Sequence, residues 1–187
     1  RYSFFKNELL TALQILQAGH VSARDMVGSW AGAMGHTQFM PSSFVTYAVD
    51  YNGNGKRDIW NSVPDALASA ANYLKSHGWR DGETWGYEVE IPANFDYARA
   101  WSVDRQSLGQ WQAMGLRRSG GREFPRAGDQ AKIFMPSGSQ GPAFLLLHNF
   151  DVIKRYNNSN NYALAVGHLA DRILGVGGFS RSFPANE

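Results

Sequence analysis

Residues 28–60 read GSWAGAMGHTQFMPSSFVTYAVDYNGNGKRDIW, and the stretch changes character at Asp50. From Gly28 to Val49 it holds no Asp, Glu, Lys or Arg, yet it offers the polar groups of Ser29, Gln38, Ser42 and Ser43. Gly28, Ala31, Gly32, Ala33 and Gly35 carry little or no side chain, so the backbone there can approach a neighbour or a ligand closely. Two readings stand side by side. One is a neutral hydrogen-bonding floor suited to sugar hydroxyls and N-acetyl groups; the other is a tight helix–helix contact with incidental polar residues.

Beyond Val49 the sequence becomes a ladder of oxygens. Asp50, Asn52 and Asn54 fall at positions 1, 3 and 5 of an EF-hand-like loop, Gly55 at position 6, and the Lys56 carbonyl at position 7. This spacing wraps hard oxygen ligands around a point, as Ca²⁺ requires. Position 12 is Asn61, so the usual bidentate Glu is absent. Asp58 at position 9 and Asp65 just past the loop are the carboxylates available to replace it. Two amides in place of carboxylates lower the ligand charge and weaken affinity. The plainer alternative is an Asn/Gly turn between two helices, with Asp65 capping its own helix.

Working outward, Phe5, Leu9, Ala12, Leu13 and Leu16 recur at helical spacing, and Gly19 is a stop signal. Ser22 to Asp25 has the capping-box form. Ser62-Val-Pro-Asp65 repeats it, ahead of a helix with Val63, Ala66, Leu67, Ala70, Ala71 and Leu74 on one face and Gly78 at its end. From about Asp81 to Pro142 the pattern turns strand-like: Trp85 to Ile91 alternates, and Ala131 to Met135 and Phe144 to Leu147 read as extended. A short helix is predicted over 104–113. Asn149 then caps a helix to Tyr156, and Tyr162, Val166, Leu169, Ala170 and Ile173 form the face of another, closed by Gly175. The expected class is α+β, mainly α: a helical core with a small β-rich inserted subdomain.

Composition narrows the function. A net charge of +2 with no basic tract gives no electrostatic case for nucleic acid. The absence of Cys removes disulfides, thiolate catalysis and thiolate metal sites. No window is apolar for long enough to span a bilayer. Aromatic residues make up 13% of the chain, including 6 Trp, which suits a cleft with flat walls and a large core equally well. No signal-peptide pattern precedes the first helix, so the expectation is of a chain that begins partway through a longer protein.

Three segments carry a family resemblance: GSWAGAMGHTQFMPSSF at 28–44, YAVDYNGNGKRDIWNSVPDALASAANYLKSHGW at 47–79 and FDVIKRYNNSNNYALAVGHLADRI at 150–173. Together they resemble the lytic murein transglycosylases of the membrane-bound B type, collinearly over nearly the whole chain. The resemblance implies a lysozyme-like helical core, an EF-hand-like calcium loop at 50–65 and a β-rich insertion. It divides the chain into residues 1–80 and 143–178 as the two parts of the core, 81–142 as the insertion and 179–187 as a tail. It also assigns Ser29 and Gln38 to the substrate cleft and Tyr73 to a cleft tyrosine. Tyr156, Asn157 and Tyr162 then form the wall facing the catalytic acid. For the metal it gives Asp50, Asn52, Asn54, the Lys56 carbonyl and Asp65. On residue type alone, Tyr73 and Tyr162 fit packed helix faces and Asn157 fits a helix C-cap just as well.

The resemblance further implies cleavage of the MurNAc–GlcNAc β-1,4 bond without water. One glutamate acts as acid and then base, the substrate's N-acetyl group assists, and the sugar's own 6-hydroxyl closes a 1,6-anhydro product. Ser29, Gln38, Tyr156 and Asn157 would hold the sugar. The family places that glutamate in a Glu-Thr-aromatic-Tyr-Gly-like motif upstream of AGAMG, and no such motif is present. Its FF-x-x-EL helix, which follows the glutamate, stands at Phe4–Leu9. Glu8, Glu83, Glu88, Glu90, Glu123 and Glu187 do not match the position. The expectation is therefore that the acid lies before Arg1, that no catalytic residue is in this chain, and that residues 1–187 alone are inactive. General acid assistance is worth about 10²–10⁴-fold. The implied partners are peptidoglycan glycan strands, met as a monomer in the periplasm or cell envelope, with membrane attachment only if encoded ahead of the chain. Two other functions fit the residues: a non-catalytic peptidoglycan-binding module and a calcium-dependent structural protein.

Overall fold

The computed structural model describes residues 1–98 and 104–184. It forms two compact units, Arg1–His77 and Gly78–Glu187. The α+β class holds, with six α-helices and one five-stranded antiparallel sheet among the described residues. None of these helices is long and apolar enough to cross a membrane.

The first unit contains α1 (Tyr2–Gln17), α2 (Pro41–Tyr47) and α3 (Val63–Ser76). Gly19 follows α1 with φ +76°, the left-handed turn that glycine adopts without strain. The apolar stripe of α1 is not its buried side. Phe5, Leu9 and Leu13 are exposed, and the buried residues are Glu8 and Ile15. Periodicity finds an apolar stripe but not what covers it, and Glu8 is buried because it is fully partnered. Its two carboxylate oxygens accept from the Ser42 amide at 2.9 Å and the Ser42 hydroxyl at 2.7 Å. Ser42 sits in the first turn of α2, where the amides point outward and a negative charge is stabilising. Glu8 is thereby the clamp between α1 and α2.

Helix α3 starts as its sequence signals. Ser62 Oγ accepts from the Asp65 amide at 3.3 Å, and Pro64 occupies the first turn. Its buried line is nevertheless offset from the apolar one. Val63 and Leu67 are exposed, whereas Asp65, Ala66 and Ser69 are buried. The inward line is polar because it holds backbone: Ser69 Oγ accepts from the Val49 amide at 3.0 Å, and Asp65 does the same for the loop described below. The Ser22–Asp25 box closes a turn and starts no helix, with Ser22 Oγ donating to Asp25 at 2.7 Å.

The second unit is built on the sheet. Its strands are β1 (Gly86–Glu90), β2 (Gln106–Ser107), β3 (Arg117–Arg118), β4 (Gln130–Phe134) and β5 (Ala143–Leu146), in the order β2-β4-β5-β1-β3. Every residue of β5 is buried, because two cores meet on it. Ala143 and Leu145 join one cluster with Leu108, Trp111 and Leu116. Phe144 and Leu146 point to the opposite face and join Trp85, Phe150, Ile153, Ala163 and Leu164. Successive strand residues alternate faces, so a strand with both faces covered reads as a continuous apolar run.

The helix predicted over 104–113 is shorter. β2 comes first, and α4 (Leu108–Ala113) begins only after Ser107, whose hydroxyl accepts from the Gln110 amide while Gln110 Oε1 accepts from the Ser107 amide. This reciprocal box sets the start. Helices α5 (His148–Tyr156) and α6 (Asn160–Ile173) follow β5. Asn149 does not cap α5; it is fully buried, accepting from the Arg80 amide at 2.9 Å and donating to the carbonyls of Arg80 and Glu83. In α6 the expected face is again displaced: Leu169 and Ile173 are exposed, and Ala163, Leu164 and Gly167 are buried. Gly167 is there for Trp85. A Cβ at residue 167 would stand 2.7 Å from the Trp85 ring. Gly167→Ala is expected to destabilise the protein by about 1–3 kcal/mol despite alanine's better helix propensity. Urea unfolding followed by tryptophan fluorescence measures this.

Candidate functional site

Residues 28–39 of the neutral stretch fold as two successive tight turns, while Pro41–Tyr47 form α2, which meets α1 through Ser42. Met34 bridges to Gly28 on one side and to Phe39 on the other. The Ser29 amide donates to the Ala33 carbonyl at 2.7 Å, and Ser29 Oγ accepts from the Ala33 amide at 3.2 Å. Gly28 has to be glycine, since a Cβ there would lie 2.6 Å from the Ala33 carbonyl oxygen. In the second turn Gln38 takes φ +52°, the one described non-glycine residue with positive φ. That conformation costs a residue with a Cβ roughly 1–2 kcal/mol. The Gln38 side chain turns back to donate from Nε2 to the Gly35 carbonyl at 2.9 Å.

The oxygen ladder lies directly against this platform. The His36 amide donates to the Ile59 carbonyl at 2.9 Å, and the Trp60 indole donates to the Val27 carbonyl at 2.9 Å. Gly35 packs so closely on Ile59 that a Cβ would come within 2.6 Å of its carbonyl oxygen. Inside the loop, Asp50 accepts from the amides of Gly53, Asn54 and Gly55. Asn52 Oδ1 accepts from the Asn54 amide and Asn54 Oδ1 from the Lys56 amide. Asp58 Oδ1 accepts from the amides of Trp60 and Asn61. Asp65, with no exposed surface, receives the Tyr51 amide on one oxygen at 3.1 Å and the Asp58 amide on the other at 3.0 Å.

Ser29 and Gln38 come together in one open cleft of about 590 Å³. Its other walls include His36, Trp60 and Arg24, which sequence reasoning did not single out. Trp60 ends the oxygen ladder, so its signal in the sequence was masked by the metal pattern. A second, more apolar cleft of about 430 Å³ shares Ser29 and is lined by Phe5, Glu8, Leu9 and Trp30. Tyr73 lines neither cleft. It belongs to an aromatic group, stacked on His77 at 4.0 Å between centroids and edge-on to Tyr47 at 4.8 Å. In the second unit Tyr156 closes α5, Asn157 is its C-cap, and Tyr162 lies in the first turn of α6 with its amide donating to Ser159 Oγ at 3.3 Å. The six glycan candidates thus divide between the units: Ser29, Gln38 and Tyr73 in the first, Tyr156, Asn157 and Tyr162 in the second. Glu187 lies outside the described residues.

The chain belongs to the transglycosylase SLT domain family, which it matches over residues 1–171. It is 34% identical to membrane-bound lytic murein transglycosylase B of Escherichia coli K12 over 92% of this chain and 46% of that protein. The crystal structure of SltB3 from Pseudomonas aeruginosa in complex with NAG-NAM-pentapeptide superposes with a TM-score of 0.92, at 53% identity, over 100% of this chain and 50% of that one. Escherichia coli Slt35 in complex with calcium gives a TM-score of 0.69 at 32% identity, over 92% of this chain and 54% of its own. The chain spans about half the length of the relatives it matches. The resemblance read from AGAMG and its companions is borne out, and with it the lysozyme-like lytic transglycosylase fold.

A histidine stands at the loop. His20 Nδ1 accepts from the Arg57 amide at 3.3 Å, and its ring meets Phe44 edge-on at 5.6 Å. Burial, then the Arg57 guanidinium, lower its pKa below 6.5, with Asp50 opposing. Protonating Nδ1 would break the Arg57 contact. A histidine whose folded-state pKa is depressed contributes stability that is present above the unfolded value and is lost as pH falls below it. An NMR titration of the His20 ring is expected to show a midpoint below 6.5, with the Arg57 amide resonance moving in step. A midpoint above that value would contradict the assignment.

Proposed function

We propose that this chain forms the glycan-holding part of a peptidoglycan lytic transglycosylase of the cell envelope. The observation that carries this reading is the cleft shared by Ser29 and Gln38: neutral hydroxyl and amide groups beside the indole of Trp60, on a rigid pair of turns. Uncharged hydrogen-bonding groups beside an aromatic face suit a sugar, which has hydroxyls around its rim and apolar faces. The SltB3 structure with NAG-NAM-pentapeptide supports the substrate class. Ser29 and Gln38 would hold an N-acetyl sugar in the first unit, and Tyr156, Asn157 and Tyr162 are the glycan candidates of the second.

We place the proton donor outside this cleft. No glutamate lines it, its carboxylate is Asp25, which accepts from the Ser22 hydroxyl at 2.7 Å, and Glu8, in the neighbouring cleft, has both oxygens committed to Ser42. Residues 1–187 are therefore expected to bind glycan strands and leave them uncut. In a pull-down with purified peptidoglycan, the protein should sediment with the polymer while the turbidity of the suspension stays constant. Clearing of the suspension would sink the assignment of the acid elsewhere. Gln38→Gly isolates the amide, because glycine accepts φ +52° without strain. It is expected to melt at or above the parent temperature while binding glycan about three- to tenfold more weakly, the worth of one or two hydrogen bonds. Unchanged binding would remove Gln38 from the site.

The oxygen ladder is proposed as a structural calcium site. Its donors are all hard oxygens: Asp50, Asn52, Asn54 and the Lys56 carbonyl, with Asp58 and Asp65 behind them. The loop is turned into shape by the amides that Asp50 receives: its Oδ1 accepts from Gly53 and Asn54, while its Oδ2 accepts from Gly55 alone and keeps a further lone pair for an ion. Among the described residues no cluster of three or more acidic, His or Cys side chains is placed for a metal, so Asp50, Asp58 and Asp65 do not converge on one point, and the amide and carbonyl oxygens would have to complete the site. A bound ion would add stability by mass action and take no part in bond cleavage, about 2.7 kcal/mol at a hundredfold excess over Kd. Millimolar calcium is expected to raise the melting temperature and chelator to reverse it; identical melts, with no calcium by elemental analysis, would leave a plain turn.

A further inference from the structure

The second unit holds a polar cavity of about 320 Å³ that the glycan reading does not use, and two arginines stand opposite one another on its wall. Arg118 and Arg122 form an antiparallel bridge across the Ser119-Gly120-Gly121 turn. Each donates its amide to the carbonyl of the other, at 2.8 and 3.1 Å. Residues that exchange both bonds sit directly opposite, about 5.5 Å apart at Cα, with side chains on the same face. Like charges in that arrangement repel and weaken the pair. The usual remedy is a carboxylate between them. Among the described residues neither arginine takes part in an ion pair.

What holds the two guanidiniums is not counter-charge. Arg118 lies over the Tyr87 ring, 4.9 Å from its centroid, and Arg122 Nε donates to the Ser119 carbonyl at 3.0 Å. Both residues line the cavity, each guanidinium has more donors than these contacts use, and its planar fork matches an oxyanion. The two acids in the same wall have partners of their own. Glu88 accepts from the amides of Ser180 and Arg181, and Asp171 accepts from the Trp85 indole. His168, stacked on Phe179 at 3.8 Å, completes a flat side to the cavity.

We infer that this cavity is a binding site for a compact carboxylate, held between Arg118 and Arg122, on a ligand whose body rests against the aromatic wall. A peptide C-terminus or an N-acylated amino acid has that chemistry. The inference stands apart from the glycan cleft, and its test uses no glycan.

Arginine Nε–H resonances report directly. Titration with N-acetyl-D-alanine is expected to shift those of Arg118 and Arg122 saturably, in the millimolar range. The uncharged methylamide of the same compound should leave them unmoved. Arg122→Gln should weaken binding by about tenfold or more, the value of a charge-assisted contact, and melt no lower than the parent because an opposed like charge is gone. Arg122→Lys, which keeps charge but loses the fork, should bind weakly too and serves if the glutamine variant misfolds. The site is refuted by the absence of a saturable shift, or by equal shifts from the methylamide. Saturation by inorganic phosphate with no response to N-acetyl-D-alanine would overturn the carboxylate assignment.

Discussion

The first unit depends on the carboxylate of Asp65. It is buried at the N-terminal turn of α3, and its two oxygens hold the amides of Tyr51 and Asp58. An unpaired charge buried there would be costly, but two backbone donors and the positive end of a helix compensate it. The consequence reaches well past the loop. By fixing Asp58, Asp65 fixes Ile59 and Trp60, and these receive the platform through the His36 amide, the Val27 carbonyl and the close approach of Gly35. The cleft of Ser29 and Gln38 is therefore held by a chain of contacts that begins inside α3. The two halves of the 28–60 stretch are one construction, in which the charged half positions the neutral half.

That coupling explains how much the sequence revealed. The loop, the glycine-rich turns and the strand-like middle were legible because each rests on local chemistry: oxygen spacing, the freedom of glycine, and alternation. Buried faces were less legible. In α1, α3 and α6 the apolar stripe predicted the helix and misplaced its inward side. The true inward lines carry Glu8, Asp65, Ser69 and Gly167, chosen for a partner and not for hydrophobicity. Each partner is remote in sequence: Ser42 for Glu8, Tyr51 for Asp65, Trp85 for Gly167. Single-sequence periodicity contains no such pairing. Asn149 makes the same point from the other direction. A helix-start asparagine looks like a cap, but its amide is spent on the carbonyls of Arg80 and Glu83.

The candidate site was legible to a similar degree. Ser29 and Gln38 were visible as uncharged polar residues in a small-residue run, and the structure gives them a common cleft. Trp60 and His36 were not visible as cleft residues, because their position depends on the docking of the loop on the platform. The backbone of Gln38 could not be read at all. A glutamine at φ +52° is signalled by nothing in its neighbours, and its strain is held by the second turn and by its own bond to Gly35.

The doubly buried β5 has a consequence in time. β1 is complete in the chain by Glu90, yet the longer of its two partner strands is residues 143–146, with Gly86 opposite Leu146. Until β5 arrives, β1 and β4 have no shared neighbour and neither of the two apolar clusters can close. Contacts this far apart along the chain require a long loop to be ordered before they return any stabilisation. During synthesis the first unit, made of nearer contacts, can assemble while the second waits for its last strand. The half-made sheet is thus the interval in which this chain is open to proteolysis and to misplaced strand pairing.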